Sequence, residues 1–196
     1  MTKVKICGIK TLEDIEIVNE LNPDYIGFVF AKSKRQIDKK KALELKERLN
    51  KNIKVVGVFV NSDITEIEDI CNKDIIDIIQ LHGDEDNNYI KLLKSKCSKI
   101  VIKAVSIKNR NTFTDYNSDY LLLDNGKGGT GEMFNWEDTP EIKKPFFLAG
   151  GLNKNNVLEG IEKLKPFGVD TSSGVETEGK KDKDKIYEFI RRVRND

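Results

Sequence analysis

Tyr120-Leu121-Leu122-Leu123-Asp124-Asn125-Gly126 is an apolar run that ends abruptly in a carboxylate, an amide and a glycine. A strand that is apolar at successive positions, without the alternation of a half-exposed sheet, belongs in a parallel sheet covered on both faces. The pattern recurs along the chain at Val4–Cys7, Tyr25–Phe30, Val55–Val60, Ile76–Leu81, Ile100–Val105, Phe146–Ala149 and Val169–Asp170. Longer charged segments with helix-start signals lie between these runs. Thr11-Leu12-Glu13-Asp14 puts an acid at the capping-box position, with Ile15 and Val18 continuing an apolar stripe. Asp38 leads into Lys39–Leu49, whose apolar positions include Leu43, Leu45 and Leu49. Ser62-Asp63 leads into Ile64–Cys71, Asp86 into Tyr89–Leu93, Asn153 into Asn155–Leu164 and Asp182 into Ile186–Val193. The weakest unit is the fifth, where Lys108–Asp115 is polar. Strands alternating with helices in this order predict a parallel α/β fold.

A closed barrel and an open doubly wound sheet both satisfy that order, and the unusual residues separate them. Cys7-Gly8, His82-Gly83, Asp124-Asn125-Gly126, Gly150-Gly151 and Ser172-Ser173-Gly174 all fall at or just beyond the C-terminal ends of predicted strands. In a barrel those ends form one ring and converge on a single pocket, whereas an open sheet spreads them along an edge. The prediction is therefore a single-domain eight-stranded (β/α)8 TIM barrel over residues 1–196, near the lower size limit of its class. No linker, low-complexity tract or shift in composition marks a second domain.

Composition removes several function classes. Lys and Arg total 34 against 33 Asp and Glu, a formal charge of +1, which leaves no electrostatic footprint for nucleic acid or an anionic membrane surface. No apolar run approaches the roughly 20 residues needed to span a bilayer. Met1–Ile6 runs directly into a strand pattern without a signal-peptide core. Cys7, Cys71 and Cys97 have neither metal-ligand spacing nor the even count of a disulfide framework, so a reducing cytoplasm is expected. A monomer is preferred, because no long apolar surface stripe stands out.

The loops after the seventh and eighth strands carry Gly150-Gly151 and Ser172-Ser173-Gly174. Glycines let backbone N–H groups approach an anion, and in β/α-barrels these two loops are a frequent phosphate site. Either pair alone could be a tight turn; together they predict phosphate binding. Gly126-Lys127-Gly128-Gly129-Thr130-Gly131 lacks the Gly-Lys-Ser/Thr ending of a nucleotide P-loop and reads instead as a mobile lid.

Cys7 stands at the end of the first strand, where a thiol tuned by a positive neighbour can act as base or nucleophile; the alternative is a small buried hydrophobe. Cys71 and Cys97 fall in or near helices and read as packing or surface residues. Asp124 closes its strand as a carboxylate that must be paired, solvated or functional. With Cys7 it supplies two titratable groups at one mouth. Asp170 reads as structural, and Lys5, which shares strand parity with Cys7, is expected to contact Asp124 or Asp170 beneath the site. Arg35, in Lys32-Ser33-Lys34-Arg35, opens onto the same mouth and can grip a carboxylate bidentately; a solvated surface cluster is the alternative. His82, the single histidine, reads as a hydrogen-bonded residue that shapes the mouth, with catalysis the lesser reading. Phe28 and Phe30 read as packing residues.

Taken in order, these residues form a family pattern. Lys5-Ile6-Cys7-Gly8-Ile9, Gly27–Phe30 with Ser33-Lys34-Arg35, Val56–Val60 and Gln80-Leu81-His82-Gly83 come first. Leu122-Leu123-Asp124, Gly128–Gly131, Leu148–Leu152 and Asp170–Glu176 follow. The series resembles the phosphoribosylanthranilate isomerase family over essentially the whole chain. The resemblance implies an Amadori rearrangement of a phosphorylated aminosugar in tryptophan biosynthesis. It further implies Asp124 as general acid on the furanose ring oxygen and Cys7 as general base at C2′. Arg35 then matches the anthranilate carboxylate ligand, His82 lines the substrate site, and Gly150, Gly151, Ser173 and Gly174 match the phosphate loops. No metal or organic cofactor is implied, since proton transfers suffice. Three departures stand out: Thr171 replaces a more usual apolar β-branched residue of similar shape, with little consequence expected, the segment after Asp124 is short, and Ala31–Arg35 lacks the usual proline.

Two rivals share parts of this pattern. The related isomerase of histidine synthesis uses a carboxylate where Cys7 stands and needs two phosphate sites. A non-catalytic phosphate-binding barrel would have no reason to bring Cys7 and Asp124 together.

Overall fold

Within Lys3–Cys7, Val4 and Ile6 are fully buried on one face while Lys5 and Cys7 share the other. That alternation builds two layers from one strand. The computed structural model describes residues 1–106, 116–124 and 142–194. Eight strands run parallel in chain order and close on themselves: β1 (Lys3–Cys7), β2 (Tyr25–Val29), β3 (Lys54–Phe59), β4 (Ile78–Leu81), β5 (Ile100–Ser106), β6 (Tyr120–Asp124), β7 (Phe146–Leu148) and β8 (Gly168–Thr171). The closing pair sets Lys5 opposite Asp170, and on its other side Lys5 lies opposite Tyr25. The fold is an eight-stranded parallel β/α-barrel, as the strand-end residues predict. An open sheet is ruled out by the β1–β8 pairing.

The described helices are α1 (Leu12–Leu21), α2 (Lys39–Glu47), α3 (Ile64–Asn72), α4 (Asn87–Lys96), α5 (Val157–Leu164) and α6 (Lys183–Arg194). Their starts follow the predicted chemistry. The Thr11 hydroxyl accepts from the Asp14 amide at 3.1 Å, and the Asp14 carboxylate accepts from the Thr11 amide at 3.0 Å, completing a capping box. Asp38 and Asp86 cap α2 and α4 by accepting from Lys41 N and Tyr89 N at 2.7 and 2.8 Å. Asp63 caps α3 without a side-chain bond.

Most element ends differ from the sequence reading by a residue or two, and three differences bear on packing. β4 starts at Ile78 rather than Ile76. α5 starts at Val157, because Asn153 and Asn156 fold the preceding residues into a turn: Asn156 Oδ1 accepts from Asn153 N, and Asn153 Oδ1 from Asn155 N. Leu43 is 40% exposed, while Ala42 and Leu45 take the buried face of α2. The predicted helix at Lys108–Asp115 and the Gly126–Gly131 lid lie outside the described residues.

The outer face of the barrel packs on the helices through Val4, Ile6, Ile26, Phe28, Ile79, Val101, Leu123 and Val169, with Ile67, Ile70, Ile90, Leu93 and Phe189 opposite them. Burial of each such side chain contributes roughly 1.5–3 kcal/mol. The inner face is a separate, smaller cluster of Val56, Ile78, Ile102, Ala104, Leu122, Phe147 and Ala149. At the N-terminal ends of the strands, Tyr25, Tyr120 and Phe167 pack around the Phe147 ring at centroid distances of 5.4–5.9 Å, forming an aromatic floor.

One charged pair is buried outside the barrel bore. Lys103 Nζ lies 3.0 Å from Glu85 Oε2, with side chains 2% and 1% exposed, and it also donates to Gly83 O. Glu85 accepts from Gly83 N at 2.9 Å and Asn61 N at 2.8 Å, so one carboxylate ties the loops after β3 and β4 together. Lys103→Met strands that carboxylate. It is expected to lower unfolding free energy by about 3 kcal/mol in urea titration; a loss below about 0.5 kcal/mol would show that the amides alone hold Glu85.

Candidate active site

The inward residues stack in layers above the aromatic floor. In the middle layer, Lys5 Nζ meets Asp170 Oδ1 at 2.9 Å, the lysine side chain being fully buried. Of the two partners the sequence allows for Lys5, Asp170 is the one it takes. Burial works against the ammonium, but Asp170 and Cys7 outweigh it and hold the Lys5 pKa above its ordinary value. Cys7 follows on the same strand face at the mouth and is also buried. Burial pushes its thiol up, with Lys5 and Lys181 pulling the other way.

Asp124 ends β6 with its side chain 10% exposed, and His82 Nε2 lies 3.1 Å from its Oδ2. Gln80, two residues earlier on the same inward face of β4, sets the imidazole. Its amide nitrogen lies 2.9 Å from His82 Nδ1, and an amide NH2 can only donate. The position of His82 in the mouth, satisfied by hydrogen bonds, agrees with its sequence reading; the role of Gln80 is visible only in the fold.

Arg35 is not a solvated surface residue. Its Nε and Nη2 donate to Glu176 Oε1 and Oε2 at 2.7 and 2.8 Å, a bidentate ion pair within the protein. Among the described residues, two of its five guanidinium N–H groups are engaged, both by Glu176. Lys181 Nζ is 2.9 Å from the same Glu176 Oε1. Burial alone would raise Glu176, but bonds from Arg35 and Lys181 hold it down at about 2. Burial pulls Lys181 below its ordinary value, with Glu176 opposing it. Sequence reasoning missed both Glu176 and Lys181. Glu176 is 141 positions from Arg35, and Lys181 lies in a polar tract where nothing sets it apart.

The two glycine loops meet. Gly150 and Gly151 follow β7 with φ of 81° and 73°, a left-handed pair that costs other residues strain. Ser173–Val175 forms a single 3-10 turn after β8. Gly174 presses on the Leu152 carbonyl so closely that a β-carbon would collide with it. The Thr171 hydroxyl donates to that same carbonyl at 2.7 Å, so this residue tethers one loop to the other, which an apolar residue of similar shape could not do. Beyond the turn, β9 (Glu176–Thr177) and β10 (Lys180–Lys181) form a small antiparallel hairpin.

Cys71 and Cys97 are buried away from this mouth on the helical layer, and all three cysteines are free. Phe28 and Phe30 are core residues, Phe30 stacking on Phe59 at 5.1 Å. Among the described residues, no group of three or more His, Cys, Asp or Glu side chains could hold a metal ion, and no helix is long and apolar enough to cross a membrane.

Residues 4–192 match the family described as N-(5'phosphoribosyl)anthranilate (PRA) isomerase. A Clostridium acetobutylicum protein named N-(5'-phosphoribosyl)anthranilate isomerase is 49% identical, over 99% of this chain and 98% of its own. The crystal structure of phosphoribosyl anthranilate isomerase from Thermus thermophilus aligns with a TM-score of 0.88 at 30% identity, covering 99% of each chain. A phosphoribosyl anthranilate isomerase in complex with reduced 1-(o-carboxyphenylamino)-1-deoxyribulose 5-phosphate gives 0.83 at 34% identity, covering 100% of both.

Proposed function

The chain belongs to the N-(5'-phosphoribosyl)anthranilate isomerase family, and from that premise we propose that Cys7 and Asp124 are the base and the acid of its reaction. The enzyme catalyses the Amadori rearrangement of N-(5'-phosphoribosyl)anthranilate to 1-(2-carboxyphenylamino)-1-deoxyribulose 5-phosphate in tryptophan biosynthesis. Asp124 gives a proton to the furanose ring oxygen as the C1′–O bond breaks and the anthranilate nitrogen lone pair forms the C=N bond. Cys7, as thiolate, then takes the C2′ proton; the electron pair of that C–H bond becomes the C1′=C2′ bond of an enolamine, which tautomerises to the ketone. One proton is given and one taken, so substrate and product balance, and the next turnover begins once Asp124 has regained a proton and Cys7 has lost one to solvent. Each positioned group of this kind contributes typically about 10²–10⁴-fold.

One observation carries the reading: two titratable side chains reach a common mouth from the ends of two non-adjacent strands, β1 and β6, each backed by fixed partners. The backbone of Gly150, Gly151, Ser173 and Gly174 holds the substrate phosphate. Arg35 takes the anthranilate carboxylate with its remaining N–H groups, and His82 lines the site while holding Asp124. The partner is thus a small phosphorylated aminosugar. The chain acts as a monomer, supported by exposed large apolar residues (Met1, Leu43, Val60, Leu92, Ile100, Tyr187) that fall on different elements of the fold. Three free thiols accord with a cytoplasmic setting.

The test is turnover of freshly generated phosphoribosylanthranilate, followed as loss of its anthranilate-type fluorescence, in wild type and in variants at Cys7 and Asp124. Wild-type rates in either variant would overturn the assignment. The phosphate loops have their own check. Gly174→Ala forces the two loops apart and is expected to raise KM roughly tenfold, ~1.4 kcal/mol. It should also lower stability by about 1–3 kcal/mol. An unchanged KM in a destabilised protein would move the phosphate elsewhere.

A further inference from the structure

The C-terminal ends of β1, β2 and β8 are joined by three charged side chains, none of which gives or takes a proton in the proposed reaction. Glu176 receives the Nε–Nη2 edge of Arg35 at 2.7 and 2.8 Å and the Lys181 ammonium at 2.9 Å. All three are sheltered, with side chains 12%, 7% and 2% exposed for Arg35, Glu176 and Lys181. Lys181 also donates to Ser172 O at 3.0 Å, and the Ser172 hydroxyl donates to Cys7 O at 2.9 Å. Arg35 Cδ lies directly over Gly8, where a β-carbon would collide with it. The network therefore runs along the backbone that carries Cys7 while keeping its hydrogen bonds off the thiol.

The charges decide what this arrangement is for. An Arg–Glu pair alone is neutral and sets a carboxylate at the mouth, a poor receptor for an anionic ligand. With Lys181 on the same oxygen, two cations share one anion and the trio carries a net +1. An unheld arginine, by contrast, keeps its charge but must give up rotamer freedom when it binds. We propose that Glu176 and Lys181 are positioning residues that make Arg35 a receptor for the substrate carboxylate. Glu176 fixes the guanidinium by one edge, and Lys181 restores the positive charge that Glu176 would cancel. The inference rests on Arg35 being the carboxylate ligand.

The test compares two stable probes by titration calorimetry on the full chain: reduced 1-(o-carboxyphenylamino)-1-deoxyribulose 5-phosphate and its counterpart without the ring carboxylate. The ratio of their Kd values cancels the shared phosphate contacts and any inactive fraction of protein. Wild type should prefer the carboxylated probe about 10–100-fold, the worth of a hydrogen bond to a charged group. Arg35→Met should abolish that preference. Glu176→Gln and Lys181→Met should each lower it roughly tenfold. Glu176→Asp, which keeps the charge on a shorter arm, should lose most of it as well. The sign for Glu176→Gln is diagnostic, because simple charge addition makes the mouth more positive and tightens the carboxylated probe. Tighter binding, or an unchanged ratio in the Glu176 and Lys181 variants beside a collapse in Arg35→Met, overturns the inference and spares Arg35. An unchanged ratio in Arg35→Met overturns the reading beneath it.

Discussion

Cys7→Ala is expected to cut kcat for phosphoribosylanthranilate by about 10²–10⁴-fold while changing Kd for the reduced product analogue by less than about threefold. The asymmetry follows from what the substitution removes. Alanine keeps the backbone and β-carbon at the end of β1, so the Lys5–Asp170 pair below and the Ser172 bond to the Cys7 carbonyl are retained. Only the sulfur is lost, and with it the group that takes the C2′ proton. Stopped-flow fluorescence for turnover and calorimetry for the analogue separate the two effects. Turnover within tenfold of wild type, or a comparable loss in affinity, would remove Cys7 from the role of base.

Asp124→Asn is expected to lose turnover on the same scale, about 10²–10⁴-fold, for a different reason. The amide is isosteric, and its oxygen still accepts from His82 Nε2, so the Gln80–His82 chain keeps its geometry. What disappears is the proton for the ring oxygen. The pH dependence of the residual rate identifies the surviving group. With the acid gone, only the base must ionise, and a base works when deprotonated. Burial raises the Cys7 thiol, so kcat/KM of Asp124→Asn should rise with pH and still be climbing at 9.0, the ordinary thiol value. A flat profile, or one that falls through this range, would mean that Cys7 does not limit the remaining reaction.

The fold was legible because its signals are local. Each parallel strand is a short apolar run, and Thr11, Asp38 and Asp86 announce their helices by side-chain chemistry confined to one turn. The face of α2 was harder. Leu43 looks apolar in a list of residues, yet Ala42, Leu45 and Leu49 share the inward phase, and a single off-phase leucine stays at the surface. In the site, Lys5 could be read because a lysine on the inward face of a buried strand demands a counter-charge. Lys103, on the outer face of the apolar run Ile100–Val105, makes the same demand from its burial, and Glu85 meets it. The Arg35–Glu176–Lys181 trio could not be found that way, since each member sits in a polar stretch and the contacts are made by barrel closure rather than by spacing.

The aromatic floor beneath the charged layer has a kinetic consequence. Tyr25, Tyr120, Phe147 and Phe167 close the N-terminal end of a bore that is itself packed with side chains, so the opening to Cys7 and Asp124 lies at the C-terminal ends of the strands. Substrate entry, product exit and the exchange of protons with water must all use that opening. Filling, reaction and emptying therefore take turns through one doorway, and none can proceed as a flow from end to end.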